Sequence, residues 1–415
     1  MVTHSRKAGY SIFLVICIMG FFAILSSTMS KSPVLPSFAA YLQTPEGFWT
    51  GLVFAASTIP GILISLPAGS LSDILGRRKV LLISSVIFAS APFFYLFINA
   101  WWQLALVRFY HGFATGMFVP VAQALIAESY PLKRGERISL FSSVTIIGRS
   151  MAPILGGSIL LITNPGASSE HYTNFQSLYL AVGVAGLTAF ITALPFLREK
   201  KAVKEAGSRA KFDLRSVLRG WKNVARTRGV FIVSLVEASQ YYTYGSVESF
   251  LVKYMKDIAK LDAFLQGAVM TSQLVIVMLS KPFIGRLSDR TGRRTPIILG
   301  CLVSIFPLFV VPFSTQFPVL LVLAMVYGLG FSVVTSVTPA LVSELVSIEV
   351  VGSAMGFIST LMDIGQTLGP LICSMIVVTI LGYVGLFSSL ALVLALAVLM
   401  FALSGIGKAR PGISS

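Results

Sequence analysis

Gly69-Ser-Leu-Ser-Asp73-Ile-Leu-Gly76-Arg77-Arg78-Lys79 lies between two long apolar runs, and it returns 216 positions later as Gly285-Arg-Leu-Ser-Asp289-Arg-Thr-Gly292-Arg293-Arg294. Gly69, Leu71, Ser72, Asp73, Gly76, Arg77 and Arg78 each have an identical partner at that offset, and so does Gly51, with Gly267. A loop repeated this closely makes the chain two copies of one unit.

The 415 residues are 55% hydrophobic and 12% charged, with a mean hydropathy of +0.84. A soluble domain is about one-quarter charged. The deficit, with apolar runs of about 20 residues, identifies a polytopic membrane protein. Apolar spans fall near 11–30, 49–68, 80–98, 102–126, 139–161, 176–196, 229–252, 264–284, 296–313, 317–341, 352–378 and 384–406. The fold class is therefore all-α: twelve transmembrane helices in two pseudo-symmetric six-helix bundles. The expected divisions are a first bundle, 1–197, a cytoplasmic basic linker, 198–228, and a second bundle, 229–415.

The net charge of +16 does not indicate nucleic acid, because the basic residues flank spans. With both termini cytoplasmic, 25 of the 32 Lys and Arg fall inside and four outside. Positive charge is retained on the cytoplasmic side, so this fixes the expected orientation, in the cell (inner) membrane. In the linker, Leu214, Val217, Leu218, Trp221 and Val224 recur at helical steps with Arg215, Arg219, Lys222 and Arg226 between them. The pattern predicts an amphipathic helix on an anionic inner leaflet. The loop 162–175 reads as polar turn material. Cys17, Cys301 and Cys373 all fall in apolar runs, which offers neither a disulfide framework nor a metal site. No P-loop and no H-E-x-x-H occurs, so ATP-driven transport and metal hydrolysis have no support. The sequence calls for no cofactor, and a monomer is expected.

Both loop copies fit G-x-L-x-D-x-x-G-R-R/K, and they resemble the helix 2–3 loop of the major facilitator superfamily. Span 4 carries Leu104-x-x-x-Arg108-x-x-His111-Gly112, similar to that family's L-x-x-x-R-x-x-Q-G with His111 at the Gln position. Span 5 carries Gly148-x-x-x-Ala152-Pro153-x-x-Gly156-Gly157, similar to the antiporter signature with Ala152 in place of one glycine. Pro33-x-x-Pro36 resembles a pattern of the twelve-helix drug:proton antiporters. The resemblance implies a non-enzymatic secondary transporter that works by alternating access. It implies export through the span 5 signature, a proton-handling role for Arg108, and a loop network that latches one state.

For that network the repeat supplies acids: Glu128 ends span 4, and Glu344, 216 later, ends span 10. The gate set is then Gly69, Asp73, Gly76, Arg77, Arg78 and Glu128, with Gly285, Asp289, Gly292, Arg293, Arg294 and Glu344. Gly148, Pro153, Gly156 and Gly157 in span 5, and Gly365, Gly369 and Pro370 in span 11, permit close helix approach and matched bends.

Ionisable residues that the repeat does not duplicate are the functional candidates. One charge within a span costs about 2.5–3.5 kcal/mol on insertion scales. Arg108 maps to Ala324, His111 to Tyr327, Arg149 to Gln366 and Asp363 to Ile146. Glu237, Gln240, Tyr241, Tyr244 and Glu248 share one face of span 7. Two acids with two tyrosines suit a cationic amphiphile through charge and cation–π contact. Glu237, Glu248 or Asp363 would carry the coupling proton. The alternative is an organic anion or metabolite held by Arg149 and Arg108. A receptor or scaffold has least support. The expected partners are a small-molecule substrate, protons and the bilayer.

Overall fold

The structure is a computed structural model that describes residues 2–64, 72, 75–168, 171–194, 224, 226–347 and 350–407. Its helices are α1 (Val2–Met29), α2 (Leu35–Tyr41), α3 (Phe48–Ala55), α4 (Arg77–Phe94), α5 (Trp101–Ser129), α6 (Arg134–Thr163) and α7 (Gln176–Ala193). They continue as α8 (Arg228–Asp257), α9 (Ala263–Thr291), α10 (Arg294–Val310), α11 (Phe317–Glu344), α12 (Val351–Val377) and α13 (Gly382–Ser404). Helices predominate because a backbone in hydrocarbon must satisfy its own hydrogen bonds. Among the described residues, nine helices are long and apolar enough to cross a membrane, against the twelve runs in the sequence. The shortfall has local causes. α4 opens on Arg77-Arg78-Lys79. α8 carries a polar face with Glu237, Gln240, Glu248 and Lys253. The second run is broken by a turn at 56–58 ahead of Pro60.

Contacts divide the chain into two units. The first comprises Met1–Thr44, Leu52–Phe212 and Lys260–Thr271; the second comprises Pro45–Gly51, Asp213–Ala259 and Ser272–Ser415. Each unit packs its helices in the same pattern. In the first, α1 lies on α6 and α7, and α4 lies on α5 and α7; in the second, α8 lies on α12 and α13, and α10 lies on α11 and α13. The first core gathers Ile16, Met19, Val80, Phe88, Phe118 and Phe141. The second gathers Val230, Val233, Ile297, Val334, Leu341 and Phe401.

Within each unit, paired glycines set how closely backbones approach. A Cβ on Gly148 would lie 2.7 Å from the Phe21 carbonyl oxygen, and one on Gly365 would lie closer still to that of Ala238. Gly51 rests on the Pro370 carbonyl, where a Cβ would sit 2.8 Å away. Its repeat mate Gly267 rests on the Pro153 carbonyl. These distances are far below van der Waals contact, so the residues must be glycine if the helices are to pack this way.

The broken second span explains Arg108. Thr58 N–H turns to the Ala55 carbonyl at 2.9 Å, which marks the break. Arg108, buried on α5, donates Nε to the Val53 carbonyl at 2.7 Å and Nη2 to the Phe54 carbonyl and Ser57 Oγ, both at 3.0 Å. A guanidinium thereby supplies donors to two carbonyls and a hydroxyl at the break.

Two stability measurements follow. Gly267→Ala and Gly51→Ala each cost about 1–3 kcal/mol by overpacking, seen as a lower Tm in detergent. Gly285→Ala, whose Cβ would meet nothing within 4 Å, leaves Tm unchanged; equal effects at all three positions refute the close-approach account. Arg108→Met removes the side-chain donors to Val53, Phe54 and Ser57 and lowers stability by about 3 kcal/mol or more. Arg108→Lys, with one donor head, recovers less than half of that loss.

Candidate functional site

The repeated loops build matching ion pairs. Arg77 Nε donates to Glu128 Oε1 at 3.0 Å, and Arg293 Nε donates to Glu344 Oε1 at 2.9 Å. Each arginine also donates Nη1 to the serine five residues before it: Arg77 to Ser72, and Arg293 to Ser288 at 2.6 Å. Arg293 pairs with Asp289 at 2.7 Å as well. Burial alone would lower the Arg293 pKa, but Glu344 and Asp289 outweigh it and raise it. Gly76 (φ 95°) and Gly292 (φ 81°) supply the left-handed turn that brings each arginine back. Gly69 and Asp73 lie outside the described residues, as does most of the linker with its expected amphipathic helix. Glu128 is 55% exposed and Glu344 51%, so each pair contributes about 0.2–1 kcal/mol. That is weak enough to open and close. Arg294 departs from this pattern: it caps the end of α13 by donating to the carbonyls of Ala402, at 2.5 Å, and Ile406, at 3.0 Å. Arg78 is half-buried.

The polar face of α8 is assembled against α10 and α11. Glu237 is buried, 4% exposed, and its Oε2 accepts from Thr338 Oγ1. The Thr338 hydroxyl also lies 2.9 Å from the Val334 carbonyl. Gln240 turns towards α10, Nε2 to Cys301 Sγ at 3.5 Å; its Oε1 is buried with no partner among the described residues. Thr243 and Tyr327 share a hydroxyl–hydroxyl bond at 3.0 Å. Tyr244 stacks on Phe331 at 4.7 Å, and Tyr241 meets the same ring edge-on at 5.2 Å. Glu248 is half-buried one turn further along. The carboxyl contact at Thr338 and the ring contacts at Phe331 thus share one face of α11, about 10 Å apart along it.

Gln366 on α12 joins this group, for its carbonyl and Cγ lie against Gly245 of α8. Asp363 is half-buried, and its backbone carbonyl accepts from Thr367 Oγ1 at 2.8 Å. In the first unit His111 lies edge-on to Phe88 at 5.8 Å, with Nε2 buried and without a partner among the described residues. Arg149 is exposed on α6. Gly156 packs on Met29, Gly157 on Ala263 and Gly369 on Tyr242. Thr338 and Phe331 escape a reading by sequence; they stand seven residues apart on one face of α11, but nothing in the periodicity says that they meet α8. Among the described residues, no group of three His, Cys, Asp or Glu side chains could hold a metal ion.

A sequence model described as Major Facilitator Superfamily matches residues 16–259 and 230–412. "Multidrug resistance protein MdtG" of Citrobacter koseri is 26% identical over 368 residues, 86% of each chain. "Multi-drug resistance efflux pump PmrA homolog" of Lactococcus lactis is 24% identical over 390 residues, 90% of each chain. Among solved structures, a bacterial homolog of the human lysosomal transporter Spinster superposes with a TM-score of 0.71 at 15% identity, covering 95% of this chain and 96% of that one. The nucleoside transporter NupG gives 0.71 at 17%, covering 96% and 100%. These two likenesses show the fold. The chain is a multi-pass membrane transporter, not an enzyme, and it belongs to the Major Facilitator Superfamily.

Proposed function

We propose that the chain exports drug-like amphiphilic compounds in exchange for protons, and that Glu237 is the coupling carboxyl. The observation that carries this reading is the Glu237–Thr338 contact on the same face of α11 as the ring contacts of Tyr241 and Tyr244 with Phe331. Thr338 has one hydroxyl proton and two acceptors in reach, Glu237 and the Val334 carbonyl. An ionised Glu237 accepts the hydrogen bond of that hydroxyl. A protonated Glu237 donates to Thr338 Oγ1, and Thr338 then donates to Val334. One hydroxyl thus serves both states without moving a helix. Burying a carboxylate is costly unless it is paired, and a cationic substrate that reaches the rings offsets its charge. The names of the two curated relatives agree with efflux.

The domain limits 1–197, 198–228 and 229–415, cytoplasmic termini in the inner membrane and a latch role for the two loop networks belong to the same proposal. The distribution of Lys and Arg in the sequence supports that orientation. Asp363 and Glu248 are further carboxyls on helices of this site, and His111, which the repeat does not duplicate, is a further candidate proton acceptor in the first unit. The organic-anion reading keeps Arg149, which is exposed on α6. Arg108 is already spent on Val53, Phe54 and Ser57.

In proteoliposomes, ethidium transport driven by a pH gradient stops with a protonophore. Glu237→Gln lowers it at least tenfold while gradient-free exchange of ethidium persists. Undiminished gradient-driven transport in Glu237→Gln moves the role to another carboxyl. Arg149→Gln leaves ethidium transport within about twofold, as expected for an exposed side chain; loss of binding there favours the anion reading.

A further inference from the structure

Residues 45–51 lead into the second span and include the first half of α3, yet they pack within the second unit. Gly51 seats on Pro370, Leu371 and Ser374 of α12. A second contact reaches α8, where Lys253 Nζ lies 3.5 Å from Glu46 Oε1. Lys253 is itself held fast, with its Nζ 2.6 Å from Asp257 Oδ2. Tyr383 at the start of α13 donates its hydroxyl to that same oxygen at 2.9 Å, and Lys256 Nζ reaches Asp257 Oδ1 at 3.2 Å. The Tyr254 ring meets Tyr383 edge-on at 5.2 Å. Burial alone would raise the Asp257 pKa, but Lys253 and Lys256 outweigh it and hold it below its ordinary value.

This cluster has a rigid part and a loose part. Lys253 and Asp257 are 18% and 22% exposed, whereas Glu46 is 70% exposed at the longest distance of the set. A fixed ammonium is thus presented to an exposed carboxylate. The repeat shows that the arrangement is specific. Glu46 maps to Asp262, which instead caps its own helix by accepting from Leu265 N–H at 2.9 Å. The matching crossing in the first unit carries neutral bonds: Ala263 N–H donates to Tyr172 Oη at 3.3 Å, and Ile154 N–H donates to Thr271 Oγ1 at 3.2 Å. Lys253 and Asp257 map to Pro36 and Ala40 at the offset of 217 that Gly148 and Gly365 establish, so neither charge is duplicated.

We propose that Glu46, Lys253, Asp257 and Tyr383 form a breakable ionic latch that holds segment 45–51 on α8 and α12, and that this latch opens in every transport cycle. It lies at the ends of α8 and α13 remote from the Arg293–Glu344 loop. It rests on the transporter fold alone, and neither proton coupling nor the choice of substrate enters it.

The test uses the full chain with Cys17, Cys301 and Cys373 replaced by alanine. Ser374→Cys places a thiol under Gly51, where Ser374 is fully buried. Glu46→Gln and Asp257→Asn each speed its modification by a hydrophilic maleimide several-fold over the same chain with the native charges. Equal rates overturn the proposal. Glu46→Cys with Lys253→Cys, joined by a short bis-methanethiosulfonate, stops ethidium transport, and reductant restores it. Failure of the pair to cross-link, or transport that continues while it is cross-linked, overturns the latch. An ethidium rate that ignores the proton gradient would sink only the coupling proposal.

Discussion

The structure depends on how closely a helix backbone approaches another where neither has a side chain to spare. Within lipid, apolar surface is no better off against a helix than against acyl chains, so association rests on close packing and polar contacts. Gly148 on Phe21 and Gly365 on Ala238 bring α1 to α6 and α8 to α12 at matching places. Gly51 and Gly267 do the same at Pro370 and Pro153, where proline has already taken a donor out of the helix. A methyl group at any of these points pushes the backbones apart. The polar contacts at the site have fixed geometry only because the helices carrying them are fixed first.

That constraint was legible early. The offset of 216, found in one loop, places Gly51 with Gly267 and Glu128 with Glu344, and the structure gives Arg77–Glu128 and Arg293–Glu344 nearly equal lengths. The face of α8 was legible in part. Helical spacing puts Glu237, Gln240, Tyr241 and Tyr244 on one stripe, but it does not divide that stripe. In the structure Gln240 turns to Cys301, while Tyr241 and Tyr244 turn to Phe331. The partner of Glu237, Thr338, is 101 residues away, and no local pattern reports a contact across that distance. The loop 162–175, read as plain turn material, is organised by Asn164. Its side chain accepts from Thr173 and Asn174 N–H and donates to the Leu160 and Asn174 carbonyls. It carries Tyr172 to the start of α9. One side chain ties the two described ends of that loop together, and composition alone does not reveal it.

Where the two copies differ, the consequences run through more than the residue that changed. Arg108 serves the break in the second span and takes Ser57 as a third partner. In the second unit the mate of Arg108 is Ala324, and the mate of Ser57 is Gln273 on the unbroken α9. Gln273 is fully buried, and neither atom of its carboxamide has a partner among the described residues. Each unsatisfied amide group costs about 1–3 kcal/mol. The first unit thus buries a charge and satisfies it three times, whereas the second carries a neutral amide left unsatisfied. Glu237, its hydroxyl partner and the latch at Asp257 all lie in that second unit. Both units thus bury polar atoms whose bonding is incomplete among the described residues, His111 in the first and Gln240 and Gln273 in the second, and incomplete bonding is what a substrate, a proton or a second conformation can supply.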